Sequence, residues 1–355
     1  MNLKHTLATI FCFLVIGLGA QDLQYSYYQF SPISYNPAFT GAFFGNLRAN
    51  VLIRDQWRTV STPSNEFQTL SLAFDGNIPF GLTEGDWISA GINIAKDEVG
   101  VSNFKHSYSG LSLAYHLAMG KKQTSVLTLG LKYGKYSKGP LKMNDNYLST
   151  RKIADPLGPH QDLNGLGNKG GQMDTHLLGS ANDFMLGLLL SAPIGNSSDI
   201  RIGLAMDHLL GPTLQGGSAT SNSTTAGEKL DRRINFNIQF YTDLNDKLTF
   251  NPTILYQKMG QASNILVQGL FSYLFSAEKE IYLNAGTGIR LSDNSFIPLY
   301  FGADIKSWRF GLSYSLNVGG LAAVSREGGF ELGISKIFSW NKKVNVKPKF
   351  VCPRL

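Results

Sequence analysis

Charged residues are scarce, cysteine is nearly absent, and long apolar runs stop after the first twenty residues; each shortage removes a class of protein. Only 16% of the 355 residues are charged. Beyond residue 20 no segment approaches about eighteen unbroken apolar residues, so spanning helices are excluded there. The two cysteines are Cys12, inside the first apolar stretch and without a lipoprotein box, and Cys352. Neither a lipid anchor nor an intramolecular disulfide follows. The six histidines, among them His106, His116, His160, His176 and His208, lack the paired spacing of a metal site and are expected on the surface or in loops. No cofactor is expected. A net charge of +7 without a Lys/Arg cluster gives nucleic acid no footing. Gly-x-Ser-x-Gly, His-Glu-x-x-His and a Gly-rich phosphate loop are all missing, so no enzyme is expected. Ser112 and His116 share one strand face, but their spacing reads more simply as a small polar surface.

What is present begins with Lys4 and His5, an apolar stretch from Leu7 to Leu18, and Gly19-Ala20 before polar Gln21 and Asp22. That is the pattern of a secretory signal peptide, residues 1–20, cut after Ala20. The stretch is short for a retained anchor helix. Removing it takes Lys4 and Cys12 away.

From residue 47 the sequence runs in segments of about ten residues with period-two alternation. Ile200, Ile202, Leu204 and Met206 alternate with Arg201, Gly203, Ala205 and Asp207; Trp308, Phe310, Leu312, Tyr314 and Leu316 alternate with Arg309, Gly311, Ser313, Ser315 and Asn317. Each strand therefore has a greasy face and a small or polar one. Strands are expected at 47–55, 66–75, 86–95, 106–117, 124–136, 182–194, 199–210, 233–243, 246–257, 264–275, 279–292, 296–306, 308–317 and 328–338. Several reach the length that a tilted membrane strand needs, which favours a transmembrane antiparallel barrel of about 14 strands over a soluble sandwich.

Every second connection is short or tight, around Gly120, Asn196, Asn245, Ala277 and Ser307, with a longer one from Gly76 to Gly85. The intervening ones tend to be longer, above all 137–181 and 211–232. Outer-membrane barrels show this asymmetry, with short turns on the periplasmic side, and an even strand count returns both ends of the barrel there. Closure is required because an open sheet in lipid leaves backbone groups unpaired. Arg48, Arg54, Lys132, Arg201, Asp207, Arg290, Asp304 and Glu331 then point inward. They make either a selective pore or peptide-binding lumen, or a solvated interior of mixed charge. A channel for small solutes is the alternative to a partner-binding barrel.

Residues 21–46 are aromatic without alternating, and Asn36-Pro37 and Gly41 are turn formers, so this segment is expected to pack on or inside the periplasmic mouth. It is either a structural plug or a docking site for periplasmic machinery. Residues 47–338 form the barrel and 339–355 a periplasmic tail. Loop 137–181 is either functional or disordered, given Gly165, Gly167, Gly170 and Gly171.

The stretch Gln29-Phe30-Ser31-Pro32-Ile33-Ser34-Tyr35-Asn36-Pro37-Ala38-Phe39-Thr40-Gly41, followed by Arg54-Asp55-Gln56-Trp57, Pro63 and Gln68-Thr69-Leu70-Ser71, resembles the PorP/SprF family of Bacteroidetes type IX secretion proteins. Cys352-Pro353-Arg354 is similar to that family's ending, although Leu355 stands where an aromatic is frequent. The resemblance implies an outer-membrane barrel required for type IX secretion or gliding motility. It also implies a partner: the C-terminal domain of a secreted, adhesin-like surface protein, or periplasmic ring and motor components. Of the family-motif positions Tyr35, Asn36, Pro37, Ala38, Gly41, Arg54, Gln56 and Trp57, the residues Tyr35, Asn36, Pro37 and Gly41 are expected to form a periplasmic-side turn that docks the leader against the barrel, as a structural plug or as a docking site for periplasmic machinery, with Trp57 near the opposite rim.

Overall fold

The computed structural model describes residues 24–340 apart from 57–66, 79–84, 100–103, 121–123, 139–178, 196, 216–228, 293–294 and 320–326. Three single 3-10 turns, Tyr28–Phe30, Pro32–Ser34 and Pro37–Phe39, precede fourteen strands. These are β1 (Leu47–Gln56), β2 (Phe67–Ile78), β3 (Trp87–Val99), β4 (Phe104–Met119), β5 (Ser125–Lys138), β6 (Gly179–Ile194), β7 (Ser198–Asp207), β8 (Arg233–Asn245), β9 (Leu248–Met259), β10 (Ala262–Ser276), β11 (Ile281–Leu291), β12 (Phe296–Ile305), β13 (Trp308–Asn317) and β14 (Glu327–Phe338). Each strand pairs antiparallel with its sequence neighbours, and β1 pairs with β14 from Leu47↔Phe338 to Gln56↔Gly329. The sheet is a closed barrel without edges, so its backbone polar groups pair within the wall.

The expected alternation is visible along β5, where Leu127, Leu129, Leu131 and Tyr133 are exposed while Val126, Thr128, Gly130, Lys132 and Gly134 are buried. Leu111, Leu113, Leu204 and Phe301 continue the exposed apolar band around the wall. A soluble protein would not leave such a band in water. In an outer-membrane barrel it faces lipid. No helix among the described residues is long and apolar enough to cross a membrane, which says nothing against crossing by strands.

All fourteen expected strands are present, with ends that differ by up to four residues. The strand expected to run to 210 stops at Asp207, because His208 takes φ +52 and turns the chain. Two ladders skip beside prolines. β8 and β9 pair at Gln239↔Thr253 and next at Thr242↔Phe250, passing Pro252. β11 and β12 pair at Thr287↔Leu299 and next at Arg290↔Phe296, passing Pro298. Proline has no N–H to give the ladder.

β1 begins and β14 ends at one rim, called here the turn rim; the opposite one is the loop rim. Short connections are not confined to the turn rim, because β9 and β10 are joined at the loop rim by residues 260–261 alone, with Gly260 at φ +56. The added length at the loop rim is concentrated between β5 and β6 and between β7 and β8.

A closed ladder of this kind resists detergent until it is heated. The chain is therefore expected to fractionate with the outer membrane and to migrate faster on gels unheated than boiled. Release by salt or carbonate alone would contradict the barrel's membrane placement.

Candidate functional site

The bore is occupied. Residues 24–46 enter it at the turn rim beside β1 and run back through it toward the loop rim, where Tyr25 and Gln24 lie against Arg290 and Arg54, near the loop-side ends of β11 and β1. The sequence placed this segment on or inside the mouth; it reaches much further. A barrel of about eight strands is already filled by its own side chains, whereas fourteen enclose a wider space.

Local chemistry sets the plug's path. Asn36 is extended, as a residue before proline must be, and caps the turn that follows: its Oδ1 accepts from Ala38 N at 2.9 Å. Its Nδ2 donates to the Leu188 carbonyl on β6, 2.9 Å away, so one side chain both shapes the turn and moors it to the wall. Gly41 has φ +69 and donates its N–H to Asp75 Oδ2 at 2.7 Å; a Cβ there would fall 1.9 Å from Ser89 Oγ. Glycines on the wall make the seat. A Cβ on Gly130 would lie 2.3 Å from Ala38 N and one on Gly187 2.0 Å from Asn36 Oδ1, while Gly311 and Gly333 receive the Phe30 ring. Tyr25, Tyr27, Tyr28, Phe30 and Tyr35 pack with Leu52, Leu255, Leu266 and Tyr300 into one apolar cluster. Burial of such side chains is worth about 1.5–3 kcal/mol each. Burial also pushes the Tyr35 phenol up to about 12, so at neutral pH it is the uncharged hydroxyl that accepts from Tyr25 N at 2.7 Å.

The inward charges are spent on the plug and on one another. Arg48 holds Asp75 through Nε (3.0 Å) and Nη2 (2.7 Å), and Nη2 also donates to the Phe39 carbonyl at 3.0 Å. Glu331 accepts from Ser26 N and Tyr27 N, both at 2.7 Å, with Arg54 Nε 3.4 Å away. Arg54 and Arg290 donate to the carbonyls of Gln24 and Tyr25. Lys132 reaches the Ile33 carbonyl at 3.5 Å over the Tyr108 ring. Asp207 pairs with Arg233, which reaches Ser34 O, and Asp304 pairs with Arg309 through two bonds of 2.8 and 2.6 Å. Arg201 lies over the Tyr241 ring. Arg48, Arg54, Lys132, Arg233, Arg290 and Glu331 thus supply donors and acceptors to a backbone that has neither sheet nor α-helix to pair with.

Toward the loop rim the β7–β8 connection folds inward. Leu214 and Leu230 are buried against Tyr108 and Tyr136, and bridges form at Ser180↔Gln215 and Thr213↔Lys229. His208 beneath them bonds Asp183 Oδ2 through Nδ1 at 2.7 Å and lies edge-on to Tyr136. Ligand atoms of Asp183, Asp207 and His208 fall within 4.8 Å of one another, but Asp183 is engaged by His208 and Asp207 by Arg233. The set reads as a closed ion-pair network.

The motif positions do not converge on one spot. Tyr35, Asn36, Pro37, Ala38 and Gly41 belong to the plug, Arg54 grips its far end, and Gln56 ends β1 opposite Phe67 and Gly329. Trp57 lies outside the described residues, as do His160, His176, Cys352 and most of loop 137–181. The histidines correct the expectation of surface positions, because His116 and His208 are fully buried in the lumen. Ser112 and His116 serve the plug: Ser112 Oγ is 2.8 Å from Thr40 Oγ1, and His116 Nε2 is 3.0 Å from the Thr40 carbonyl, its ring stacked 4.4 Å from Trp87. Sequence reasoning missed the wall glycines as a seat. The available signal was their place at inward positions, opposite greasy outward neighbours.

A family model described as type IX secretion system membrane protein PorP/SprF matches residues 18–335. No curated protein matches the chain. Among solved structures, the toluene transporter TbuX of Ralstonia pickettii is 12% identical, with 86% of this chain and 93% of that one covered and a TM-score of 0.47. The monoaromatic hydrocarbon channel CymD is 12% identical over 86% and 92% of the two chains, with a TM-score of 0.49. CdiB from Acinetobacter baumannii is 10% identical over 82% of this chain and 60% of that one, with a TM-score of 0.43.

Two substitutions probe the seat. Gly130→Val drives its side chain into the plug backbone and is expected to open a conductance in planar bilayers and expose residues 24–46 to chymotrypsin, while heat-dependent migration persists; Leu129→Val, on the lipid face, should do neither. A closed, protected Gly130→Val protein would show that the seat is not needed. Glu331→Gln strips the charge that faces Arg54 and two plug amides, and should cost about 3 kcal/mol, seen as a lower temperature for loss of the fast-migrating form.

Proposed function

This chain belongs to the PorP/SprF family of type IX secretion system membrane proteins, and from that premise we propose that its barrel binds the C-terminal domain of a secreted, adhesin-like surface protein at the loop rim and supports that protein's export or anchoring. As an outer-membrane component of type IX secretion it is a transport part, not an enzyme. The observation that carries the partner reading is the occupied bore. Residues 24–46 are bonded to charges on β1, β11 and β14, and the described residues of the β7–β8 connection pack on Tyr108 and Tyr136, so much of the lumen is taken up by the chain itself and the loop rim is the surface we assign to the secreted partner. The channel reading loses ground for the same reason, since a solute would have to displace buried ion pairs. Two connections at the loop rim carry the extra chain, and long connections on a rigid scaffold are where binding residues concentrate. In this reading the turn rim faces the periplasm, where the plug's entry beside β1 is accessible to periplasmic components of the system.

Replacing residues 141–178 by a short Gly/Ser linker tests the reading. The barrel should still assemble, judged by heat-dependent migration, while surface display of the cognate secreted protein falls. Unchanged display at normal barrel levels would rule this loop out as the binding element.

A further inference from the structure

The plug does not cover the turn rim evenly. Its stretch at that rim, from Pro37 to Asn46, lies against β2 to β6 and β14, where Gly41 bonds Asp75, Asn36 bonds Leu188 and Asn46 bonds Phe338. Across the bore, under the ends of β7 to β11 and β13, a cavity of about 550 Å³ remains, with Tyr27 and Gln29 of the plug as its floor. That volume lies within the range of sites that hold a small ligand or a few residues of peptide.

Its chemistry runs against that of the chain. The protein carries a net charge of +7, yet the cavity presents Asp199, Asp243 and Asp246 against Lys247. Arg309, the other cation in its lining, is held in two bonds by Asp304. Asp243 and Asp246 are exposed and Asp199 is half-buried, so at least two carboxylates meet an incoming group without first being uncovered. The floor adds a second, independent feature. Both polar atoms of the Gln29 amide are buried and have no hydrogen-bond partner among the described residues, although Gln29 lines the cavity. A buried amide lacking both partners is costly, and the cost is removed by a group that donates and accepts at once, as a peptide bond does. Tyr282, half-buried in the same lining, adds ring surface beside the carboxylates, and a guanidinium is held by charge and by stacking together in such a setting.

We propose that this cavity is a binding site for a short arginine- or lysine-bearing peptide segment of a partner protein that approaches from the turn rim, its basic side chain between Asp199, Asp243 and Asp246 and its backbone on the Gln29 amide. The site is separate from the loop-rim surface. It stands whether or not the secreted partner binds there.

The test uses the full chain in neutral phosphatidylcholine nanodiscs and fluorescein-labelled Gly-Gly-Arg-Gly-Gly, with Gly-Gly-Glu-Gly-Gly as its counterpart, followed by anisotropy at low salt. Because the net charge of the chain attracts anions, a preference for the arginine peptide isolates the cavity's own field; about tenfold is expected. Asp243→Asn with Asp246→Asn should weaken binding about fivefold, the weight of two exposed charge contacts, and Gln29→Ala about threefold through the lost amide contacts. Glu278→Gln, on the neighbouring turn but outside the cavity, should leave it unchanged, and heat-dependent migration confirms that each variant is folded. Equal affinity for the two peptides, binding that survives the double Asp→Asn change, or spermidine that binds at least as tightly as the arginine peptide would each overturn the proposal.

Discussion

A bore of fourteen strands is too wide for the side chains of its own wall to fill, and the rest of the structure depends on how residues 24–46 are held within it. That segment brings backbone donors and acceptors into the lumen without a ladder to pair them. Wall charges answer this need directly: Glu331 takes two successive amides, Arg54 and Arg290 take two successive carbonyls, and Arg48 takes a third while holding Asp75. Glu331, Arg290 and Arg48 are buried, so losing a partner there leaves a charge stranded rather than hydrated. The plug and the inward face of the barrel are in this sense one unit, and neither is explained alone.

That dependence bears on function. A lumen whose charges are committed to its own chain is poorly suited to selecting solutes. Recognition then falls to the rims, which differ. The loop rim carries the two long connections and an inward-folded segment seated on Tyr108 and Tyr136; the turn rim carries the plug's exit on one side and an acidic vestibule on the other. The two rims therefore present different chemistry.

The network around His208 ties the loop-side connection to the plug. His208 sits at the base of the inward-folded connection, bonds Asp183, and adjoins the Asp207–Arg233 pair, whose arginine reaches the plug at Ser34. Lys132 reaches the next plug carbonyl, that of Ile33. One continuous set of polar contacts therefore runs from the loop-side connection to the plug.

The wall could be read from the residues because strand alternation is local: in a two-faced sheet every second side chain must be apolar where it meets lipid, and Trp308, Phe310 and Leu312 declare this without reference to anything distant. Strand number, closure and the inward set of charges follow from that period. Residues 21–46 were legible as packed rather than loose, because so many aromatics cannot stay in water. What Glu331 or Gly130 touches was not legible. Their partners lie 305 and about 90 residues away in the chain, and nothing in the local pattern distinguishes an inward glycine that seats a plug from one that merely lines a pore. The same holds for His116, whose partners come from β3, β5 and the plug, and for His208, whose partners come from β5 and β6. The sequence alone determined the barrel, because its period is written residue by residue; only the tertiary structure decided that the bore is plugged and which charges hold the plug, because those contacts exist only once the sheet has closed around the segment.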